Sequence, residues 1–402
     1  MPFLASTRGS FGPQGRFGRG AMLPNYFGSG VDGSVTISSN TNLVVPNKNG
    51  SYDGDYVVMN YSSLTINSGV TLTTDQPCKG LLIYVSGDCT INGTISMRGR
   101  GAASNPDAVL AVNGIRYPIL PASGTYSGSL SAPDFTGCGS TAIAAVANQP
   151  GGSGRRIIQI PKRTSNGGAA QSGGISFNVT GNAGGSGTNS GTDTLTLSPG
   201  GGGGGGAYSD PNSCGSSTNV VSGRGGNATA FSGGAGGGGK MSGTGVSGGV
   251  AGNGSDDGGE GGDGGNGHCG GVHMVTGGVG NPGGWDQYGS VNQSGYNQTY
   301  ARANSGTGGV IWLIVGGNLT IGSGGLIDAR GVDNTDYTGS RTYNGNYGNG
   351  GASGGGVAIV LHKGTYTNSG SINVSGGAYT FGSAAGPGSS GGSGASTVIQ
   401  VA

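Results

Sequence analysis

Acidic side chains are the first candidates for chemistry, and four of them share one glycine-rich run: Asp256, Asp257, Glu260 and Asp263. A glycosidase needs two carboxyl groups about 5–9.5 Å apart, flanking the bond that it cleaves. Carboxylate and carbonyl oxygens are also the ligands that Ca²⁺ prefers. No aromatic platform for a sugar accompanies these acids, and no second copy of a calcium-binding nonapeptide follows them. We interpret them as solvated turn residues, with a calcium site as the alternative.

A second acidic pair, Asp328 and Asp333, follows a predicted strand and lies near Arg330 in the sequence. Two carboxylates in a groove along a β structure would suit a polysaccharide depolymerase. Polar residues after a strand are also typical of turns, where their side chains bond to nearby backbone. We favour the turn interpretation, and the depolymerase is the enzymatic alternative.

A small group of nitrogen and sulfur ligands follows the acidic run: His268, Cys269 and His273. These residue types bind zinc, but a structural zinc site needs four ligands, and the sequence offers no evident fourth. No Ser-His-Asp pattern, P-loop or dinucleotide fingerprint is present, since Gly-x-Gly-x-x-Gly matches are uninformative in so glycine-rich a chain. The sequence therefore predicts no cofactor, and it does not favour an enzyme.

Aromatic residues interleaved with Asn, Gln, Ser and Gly form the strongest candidate binding surface. These residue types are enriched in adaptable binding loops, where rigid rings supply contact area and amides supply hydrogen bonds. The candidates are Trp285, Tyr288, Tyr296, Tyr300, Tyr337, Tyr343 and Tyr347. We predict receptor-binding loops, and the alternative is that these rings pack over glycine and supply missing core.

Short β-branched runs separated by Asn, Gly, Ser and Asp must position these loops. They predict a succession of strands with tight turns and few or no α-helices. A strand followed by Thr-Ile-x-x-Gly recurs around Thr65, Thr90, Thr320 and, more weakly, Thr367. Periods of about 20–50 residues indicate stacked repeats, so we predict an all-β fold of parallel β-helix-like solenoid coils. A β-sandwich with similar turn chemistry is the alternative.

The spacing of the repeats supports the coil interpretation. Ile66 and Ile91 are separated by one predicted coil, and Ile321 and Ile372 by about two. A coil cannot bury its apolar face alone, so it stacks on its neighbours. We assign β-solenoid-like strands to residues 31–100 and to residues 306–402.

Glycine dominates residues 101–305, and the whole chain has 99 glycines among 402 residues. About 200 residues of coil would be unusual inside a compact chain. Glycine strands of polyproline II shape have three residues per turn and no internal hydrogen bonds. Without Cβ atoms they can pack side by side and satisfy each other's N–H and C=O groups. We predict such an ordered glycine lattice, with several separate loops as the alternative.

Charge and hydropathy exclude several classes of partner. Lys and Arg total 18 and Asp and Glu total 17, so the net charge of +1 argues against nucleic acid or an anionic membrane as the main partner. No run approaches the roughly 18 apolar residues of a membrane-spanning helix, and no secretory signal is visible at the start of the sequence. An odd number of cysteines without a signal favours free thiols; these are Cys78, Cys89, Cys138, Cys214 and Cys269.

Residues 1–30 form a distinct leader, in which glycine recurs at every third position from Gly9 to Gly18. Period-three glycine suits chains that pack as polyproline II helices, but this run is too short for a stable collagen-like stem. We interpret the leader as a flexible arm that becomes ordered on a partner.

The Thr-Ile-x-x-Gly coils, the glycine tracts and the Tyr/Asn-rich loops of residues 31–402 together resemble tail-fibre and adhesin proteins of tailed bacteriophages. Some members of that group carry polyglycine helix sandwiches topped by variable recognition loops. The resemblance implies a virion component that is assembled in the host cytoplasm, exposed on the particle, often homotrimeric, and bound to a host glycan or protein. The leader 1–30 would anchor it to other virion proteins, with Phe11, Arg16, Phe17 and Arg19 as anchor candidates.

Three functions follow from these observations. The leading hypothesis is a phage tail fibre or adhesin that binds a host surface. A purely architectural capsid or tail decoration is the second, in which the tyrosine-rich loops would contact other virion subunits. A depolymerase on a β-helix is the third.

Overall fold

A computed structural model describes the chain without interruption over residues 26–48, 54–102, 306–333, 351–379 and 389–401. Shorter pieces are described between these ranges. They are residues 115–118, 125–126, 130–131, 142–143, 149–150, 157–160, 166, 172–173, 177–179, 182–190, 194–204, 207–209, 220–221, 225–234, 236, 240–241, 279–280, 286–287, 291–293 and 296–298.

Every regular element in the described part of the chain is a β-strand, and no helix occurs there, so the all-β class is confirmed. The first strands are β1 Ser34–Ile37, β2 Thr41–Leu43, β3 Val57–Tyr61, β4 Ser63–Ile66, β5 Thr71–Thr74, β6 Leu81–Val85, β7 Cys89–Ile91 and β8 Thr94–Ser96. The central strands are β9 Ile115–Pro118, β10 Thr125–Tyr126, β11 Leu130–Ser131, β12 Ala142–Ile143, β13 Gln149–Pro150, β14 Ile157–Ile160, β15 Ser172–Gly173, β16 Phe177–Val179, β17 Asn189–Ser190, β18 Thr194–Leu197, β19 Ala207–Ser209, β20 Val220–Val221, β21 Lys240–Met241, β22 Val279–Gly280, β23 Asp286–Gln287, β24 Val291–Gln293 and β25 Tyr296–Gln298. The last strands are β26 Val310–Val315, β27 Leu319–Ile321, β28 Leu326–Asp328, β29 Val357–His362, β30 Tyr366–Asn368, β31 Ser371–Asn373 and β32 Ala395–Gln400.

Three parallel five-stranded sheets organise the first and last groups of strands. Sheet I has the order β3-β6-β26-β29-β32, sheet II the order β1-β4-β7-β27-β30, and sheet III the order β2-β5-β8-β28-β31. From β3 onwards, successive strands of these two groups enter sheets I, II and III in turn. Both repeat-bearing regions therefore contribute to the same three sheets.

The repeat occupies matching positions in neighbouring strands. Thr65 pairs with Thr90, Thr90 with Thr320, and Thr320 with Thr367. The predicted separation of Ile321 and Ile372 by about two coils is wrong, because the strand after Ile321 in sheet II is β30, its direct neighbour. Asn368 lies opposite Ile321, because Ile372 belongs to the next strand and pairs with Ile327 of sheet III.

One apolar cluster joins the three sheets. It includes Ile66, Ile91 and Ile321 from sheet II, Leu313 from sheet I, and Ile95 from sheet III, all fully buried. The alternating burial of β4, β5 and β7 places the apolar residues of sheets II and III in this cluster and Thr65, Thr71, Thr73 and Thr90 outside it, whereas Thr74 at the end of β5 is fully buried. Burial of one face explains why these strands show period-two patterning.

Sheet I is buried on both faces, which explains its continuous apolar runs. All residues of β6, β26 and β29 are buried. The second face belongs to another apolar cluster, which contains Trp312 and Leu82 together with Ile158 of β14, Leu195 of β18, and Phe231. Described strands and turns between positions 103 and 305 thus cover the outer face of sheet I.

The two ends of that long segment meet at one edge of the stack of sheets. The Gly101 N–H donates to the Thr307 carbonyl at 3.0 Å, and Gly101 also forms a parallel bridge with Cys78. The segment therefore enters and leaves the three sheets at adjacent positions. Within the described residues, no helix is long and apolar enough to cross a membrane.

Candidate functional site

Glycine-rich segments lie side by side against the start of the sheet I strands and bond to one another through the backbone. They are residues 182–187, 199–204, 225–234 with 236, 306–309, 351–356 and 389–394. Segment 199–204 is hydrogen-bonded to four of the others, namely 182–187, 225–234, 351–356 and 389–394. We call this group of segments the glycine lattice.

The N–H groups of residues 200–204 donate to different neighbouring segments in turn, with a repeat of three residues. The bonds run from Gly200 to the Gly355 carbonyl (2.8 Å), Gly201 to Gly185 (2.8 Å), Gly202 to Gly226 (3.0 Å), Gly203 to Ala352 (2.9 Å) and Gly204 to Asn182 (2.7 Å). Positions three residues apart thus donate to the same neighbouring segment. A threefold repeat is the period of a polyproline II helix.

Three carbonyl groups of the same segment are also paired. Gly200 accepts from the Gly234 N–H at 2.8 Å, and Gly201 accepts from the Gly392 N–H at 2.8 Å. Gly204 accepts from Ser389 at 3.0 Å. Segment 199–204 therefore bonds to neighbours on several sides, and these backbone bonds replace contacts that side chains would otherwise make.

Close approach of backbones explains why glycine is required in the lattice. A Cβ atom on Gly354 would lie within 3.0 Å of the Gly200 carbonyl carbon and oxygen. A Cβ atom on Gly200 would meet the Gly392 carbonyl group in the same way. These obstacles are backbone atoms of neighbouring segments, so rotation of a side chain cannot relieve them.

The lattice is continuous with the sheets, since three of its segments lead directly into strands of sheet I. Segment 306–309 precedes β26, segment 351–356 precedes β29, and segment 389–394 precedes β32. The Gly356 N–H also donates to the Ala329 carbonyl at 2.7 Å, immediately after β28. Each strand therefore holds the end of a lattice segment in a fixed position.

The segment before the first strand runs across the ends of the sheet I strands. The Phe27 ring lies 5.9 Å from the ammonium nitrogen of Lys363, which follows β29. Five residues later, the Asp32 N–H donates to the carbonyl of Asn60 in β3 at 2.8 Å. Residues 26–33 thus pass from the fourth strand of sheet I to the first.

The C-terminal residues lie at the same place as the start of this crossing segment. The Val401 N–H donates to the His362 carbonyl at 2.8 Å, beside Lys363. Val401 and Tyr26 belong to the same apolar cluster. Both ends of the described chain therefore reach the β29–β32 side of sheet I.

Most of the predicted site residues lie outside the described residues. Of the aromatic candidates, only Tyr296 falls in a described strand, where it pairs with Gln293 across β24 and β25. The candidates outside are Trp285, Tyr288, Tyr300, Tyr337, Tyr343 and Tyr347, the leader residues Phe11, Arg16, Phe17 and Arg19, and the metal candidates Asp256, Asp257, Asp263, His268, Cys269 and His273. In the described ranges, no group of three or more His, Cys, Asp or Glu residues could hold a metal ion.

The acidic pair after β28 is held by arginines and backbone amides. Both Asp328 oxygens accept from the Arg330 guanidinium at 2.9 Å, and the Asp328 side chain is 5 % exposed. Asp333 accepts from Arg98 at 3.1 Å and from the Ala378 N–H at 2.6 Å. Asp328 is thus a buried residue at the end of β28 and not a solvated turn residue, whereas Asp333 joins the chain after β28 to a neighbouring segment.

Sequence reasoning did not single out the outward side chains of sheet II as a surface. Its first threonine, Thr36, pairs with Thr65 and extends the repeat by one strand. The short sequence Val35-Thr36-Ile37 carries the signal, because it repeats the apolar-Thr-Ile pattern of β4. The crossing segment around Phe27 was assigned to the leader, and no pattern in its sequence indicates its contacts.

Burial suppresses the ionisation of two groups that face the core shared by the sheets. It raises the pKa of the Cys89 thiol to about 12. Burial also raises the pKa of Tyr61 to about 12, with a smaller contribution from the negative charge of Asp32. Both groups are therefore neutral at neutral pH.

The two described cysteines, Cys78 and Cys89, are buried thiols that form no disulfide within the described residues. In a variant with Cys138, Cys214 and Cys269 changed to serine, we expect the native protein to react with Ellman's reagent at pH 8 at least about a hundredfold more slowly than the unfolded protein, because the thiolate is the reactive form. The reaction is followed by absorbance, with guanidinium-unfolded protein as the control. Rapid stoichiometric labelling of native protein would contradict burial of these thiols.

No protein-family model, no curated protein and no solved structure matches this chain.

Proposed function

We propose that this chain is a structural attachment protein of a bacteriophage virion, a tail fibre or adhesin whose rigid scaffold presents loops to a host surface. The observation that carries the proposal is the glycine lattice built into the edge of a stack of three parallel sheets. The sequence resemblance to tail-fibre and adhesin proteins supports the same function. Rigid display of loops on a regular scaffold is a common basis of recognition.

The three sheets are best explained as a parallel β-helix. Successive strands enter sheets I, II and III in turn, and the sheets share one apolar cluster. Each turn of the chain would then form one coil, which buries its apolar face only against the coils above and below. Such a stack is stiff along its axis, as an attachment fibre requires.

The glycine segments are best explained as a bundle of polyproline II helices. The threefold alternation of donors in residues 200–204 supports this interpretation, as does the lack of space for Cβ atoms. Loops that leave such a bundle have fixed ends, so they can vary in sequence without disturbing the scaffold. The proposed receptor-binding residues are Trp285, Tyr288, Tyr296, Tyr300, Tyr337, Tyr343 and Tyr347.

The leader is the proposed anchor to other virion proteins. Residues 1–25 precede Tyr26, which shares a cluster with Val401 on the β29–β32 side of sheet I. An arm that starts there would attach the protein by the side where the last strands lie. The first strands, β1 and β2, would then be remote from the point of attachment.

Two measurements on the full chain test the proposal. A map of the virion, or gold-labelled antibody, should place the chain on the particle surface, and the purified chain should bind host cells. Changing Trp285, Tyr296 and Tyr300 together to serine should weaken cell binding at least about tenfold, because aromatic anchors dominate most interfaces. Val44→Ser is the control, since Val44 is a 63 % exposed residue beside β2.

Each unfavourable result has a definite meaning. A chain found inside the capsid, with no binding to host cells, would refute an attachment function. Surface location without cell binding would favour the architectural decoration, in which the loops contact other virion subunits. Release of reducing ends from host capsule would favour a depolymerase.

A further inference from the structure

A straight column of threonines runs along the outer face of sheet II. Each lies opposite the next in parallel register, one per strand, and the five are Thr36, Thr65, Thr90, Thr320 and Thr367. Strands in a sheet are about 4.7–4.9 Å apart, so the column is about 19 Å long. The repeat therefore produces an array of hydroxyl and methyl groups with a constant spacing.

The hydroxyl groups of this column are free in the described structure. None of the five threonine side chains makes a hydrogen bond to another described residue, whereas two threonines of β5 on sheet III do. Thr73 donates to the Ser96 carbonyl at 2.7 Å, and Thr74 donates to the Gln76 carbonyl at 2.9 Å. A threonine hydroxyl can donate one hydrogen bond and accept two, so the column of sheet II can still bond to a ligand.

The outer face of sheet II also carries no charge. None of its five strands contains Asp, Glu, Lys or Arg. Sheet III, by contrast, carries the Asp328–Arg330 ion pair, and the outer face of sheet I is covered by the apolar cluster that includes Phe231. Sheet II is therefore the sheet whose outer face combines free hydroxyls with neutrality.

These properties define the chemistry of the ligand. A charged polymer would lose hydration on this face without gaining a countercharge. A peptide strand would pair with the backbone at a sheet edge, and not with the side chains of a face. A neutral, extended polysaccharide presents donors and acceptors at intervals along its length, which matches a column of hydroxyls.

We infer that the threonine column of sheet II binds a neutral, extended glycan chain, one hydroxyl contact per strand. The inference rests on the proposed function, because it names the glycan class that an attachment protein of this kind would contact along its shaft. Without an aromatic ring in the column, each contact is weak. Many copies on one particle would raise the avidity by increasing the effective concentration.

Pull-down of the full chain with insoluble cellulose and chitin tests the inference, with alginate beads as the anionic comparison. We expect retention on at least one neutral polysaccharide and not on alginate. Changing Thr65, Thr90 and Thr320 together to valine removes three hydroxyls and keeps the β-branched shape. The retained fraction should then fall about tenfold or more, because each lost hydrogen bond weakens binding.

The matched control is the double variant Thr71→Val and Thr94→Val, which makes the same change in one register pair of sheet III. Both variants should unfold at the wild-type temperature, since valine suits strands, and the control should bind like the wild type. Equal retention of the triple variant, equal loss in the control, retention on alginate, or no retention on either neutral polysaccharide would overturn the inference.

Host-cell binding, measured on the same samples, separates this inference from the proposed function. If the triple valine variant loses polysaccharide binding and host-cell binding together, both proposals are supported. If it keeps both polysaccharide binding and host-cell binding, the glycan column is refuted and the attachment function stands. If it loses polysaccharide binding alone, the column is upheld and host-cell binding is assigned to the loops. If the wild type is retained on cellulose or chitin but binds no host cell, the attachment function fails while the column is upheld.

Discussion

Changing Gly354 to alanine is expected to lower the free energy of unfolding by about 3 kcal/mol or more, at the upper end of the range for overpacked sites. The added Cβ would lie within 3.0 Å of the backbone of Gly200 and Gly201. The Gly354 N–H also donates to the Gly234 carbonyl at 2.7 Å, so the segment cannot shift without breaking lattice bonds. Urea unfolding followed by circular dichroism measures the change.

Gly324→Ala is the control, because its Cβ would meet only ordinary or slightly tight contacts, the nearest being the Asn92 carbonyl oxygen at 3.3 Å. Gly324 is exposed in the turn between β27 and β28. We expect this variant to unfold within about 0.5 kcal/mol of the wild type, as most surface substitutions do. Equal stability of the two variants would mean that the lattice does not contribute to the cooperative unit.

Changing Trp312 to alanine is expected to destabilise the protein by about 3–5 kcal/mol, the usual range for a buried tryptophan. Trp312 is fully buried on the side of β26 that faces away from the core shared by the sheets. Its cluster includes Ile158 and Leu195 of the segment between positions 103 and 305. The loss should therefore loosen that segment as well as weaken sheet I.

Two measurements separate these effects. Chemical unfolding followed by circular dichroism gives the stability, and limited proteolysis with mass spectrometry locates the earliest cleavage. We expect early cleavage between positions 103 and 305 in Trp312→Ala and not in Leu326→Ala, whose side chain is only half-buried on sheet III. An unchanged cleavage pattern together with unchanged stability would contradict the packing of this segment on sheet I.

Much of the strand framework could be predicted, because local patterns carry it. The runs around Leu64, Cys89 and Leu319 become strands with the apolar side chains inward, as their alternation predicts. The weaker copy near Thr367 was harder to align. Asn368 occupies the position where the other copies have isoleucine. The hydrophobic pattern therefore pointed to Ile372 as the matching residue, although Ile372 belongs to the following strand.

The candidate site was less predictable, since its parts are far apart in the sequence. In the glycine lattice, the Gly200 N–H donates to the Gly355 carbonyl at 2.8 Å, although the two residues are distant in the sequence. Nothing local in either segment specifies the other as its neighbour. The acidic pair at Asp328 and Asp333 illustrates the same limit, because only the fold shows that Arg98 approaches Asp333.

The sequence by itself determined the all-β class, the short strands and the need for close backbone packing wherever glycine is dense. These properties follow from local chemistry, that is, side-chain periodicity and the absence of Cβ atoms. Only the tertiary structure decided that both repeat regions share three sheets and that five threonines form one column. It also decided which glycine segments are neighbours, because glycine has no side chain to encode a partner and backbone hydrogen bonds form equally well with any segment that packs close enough.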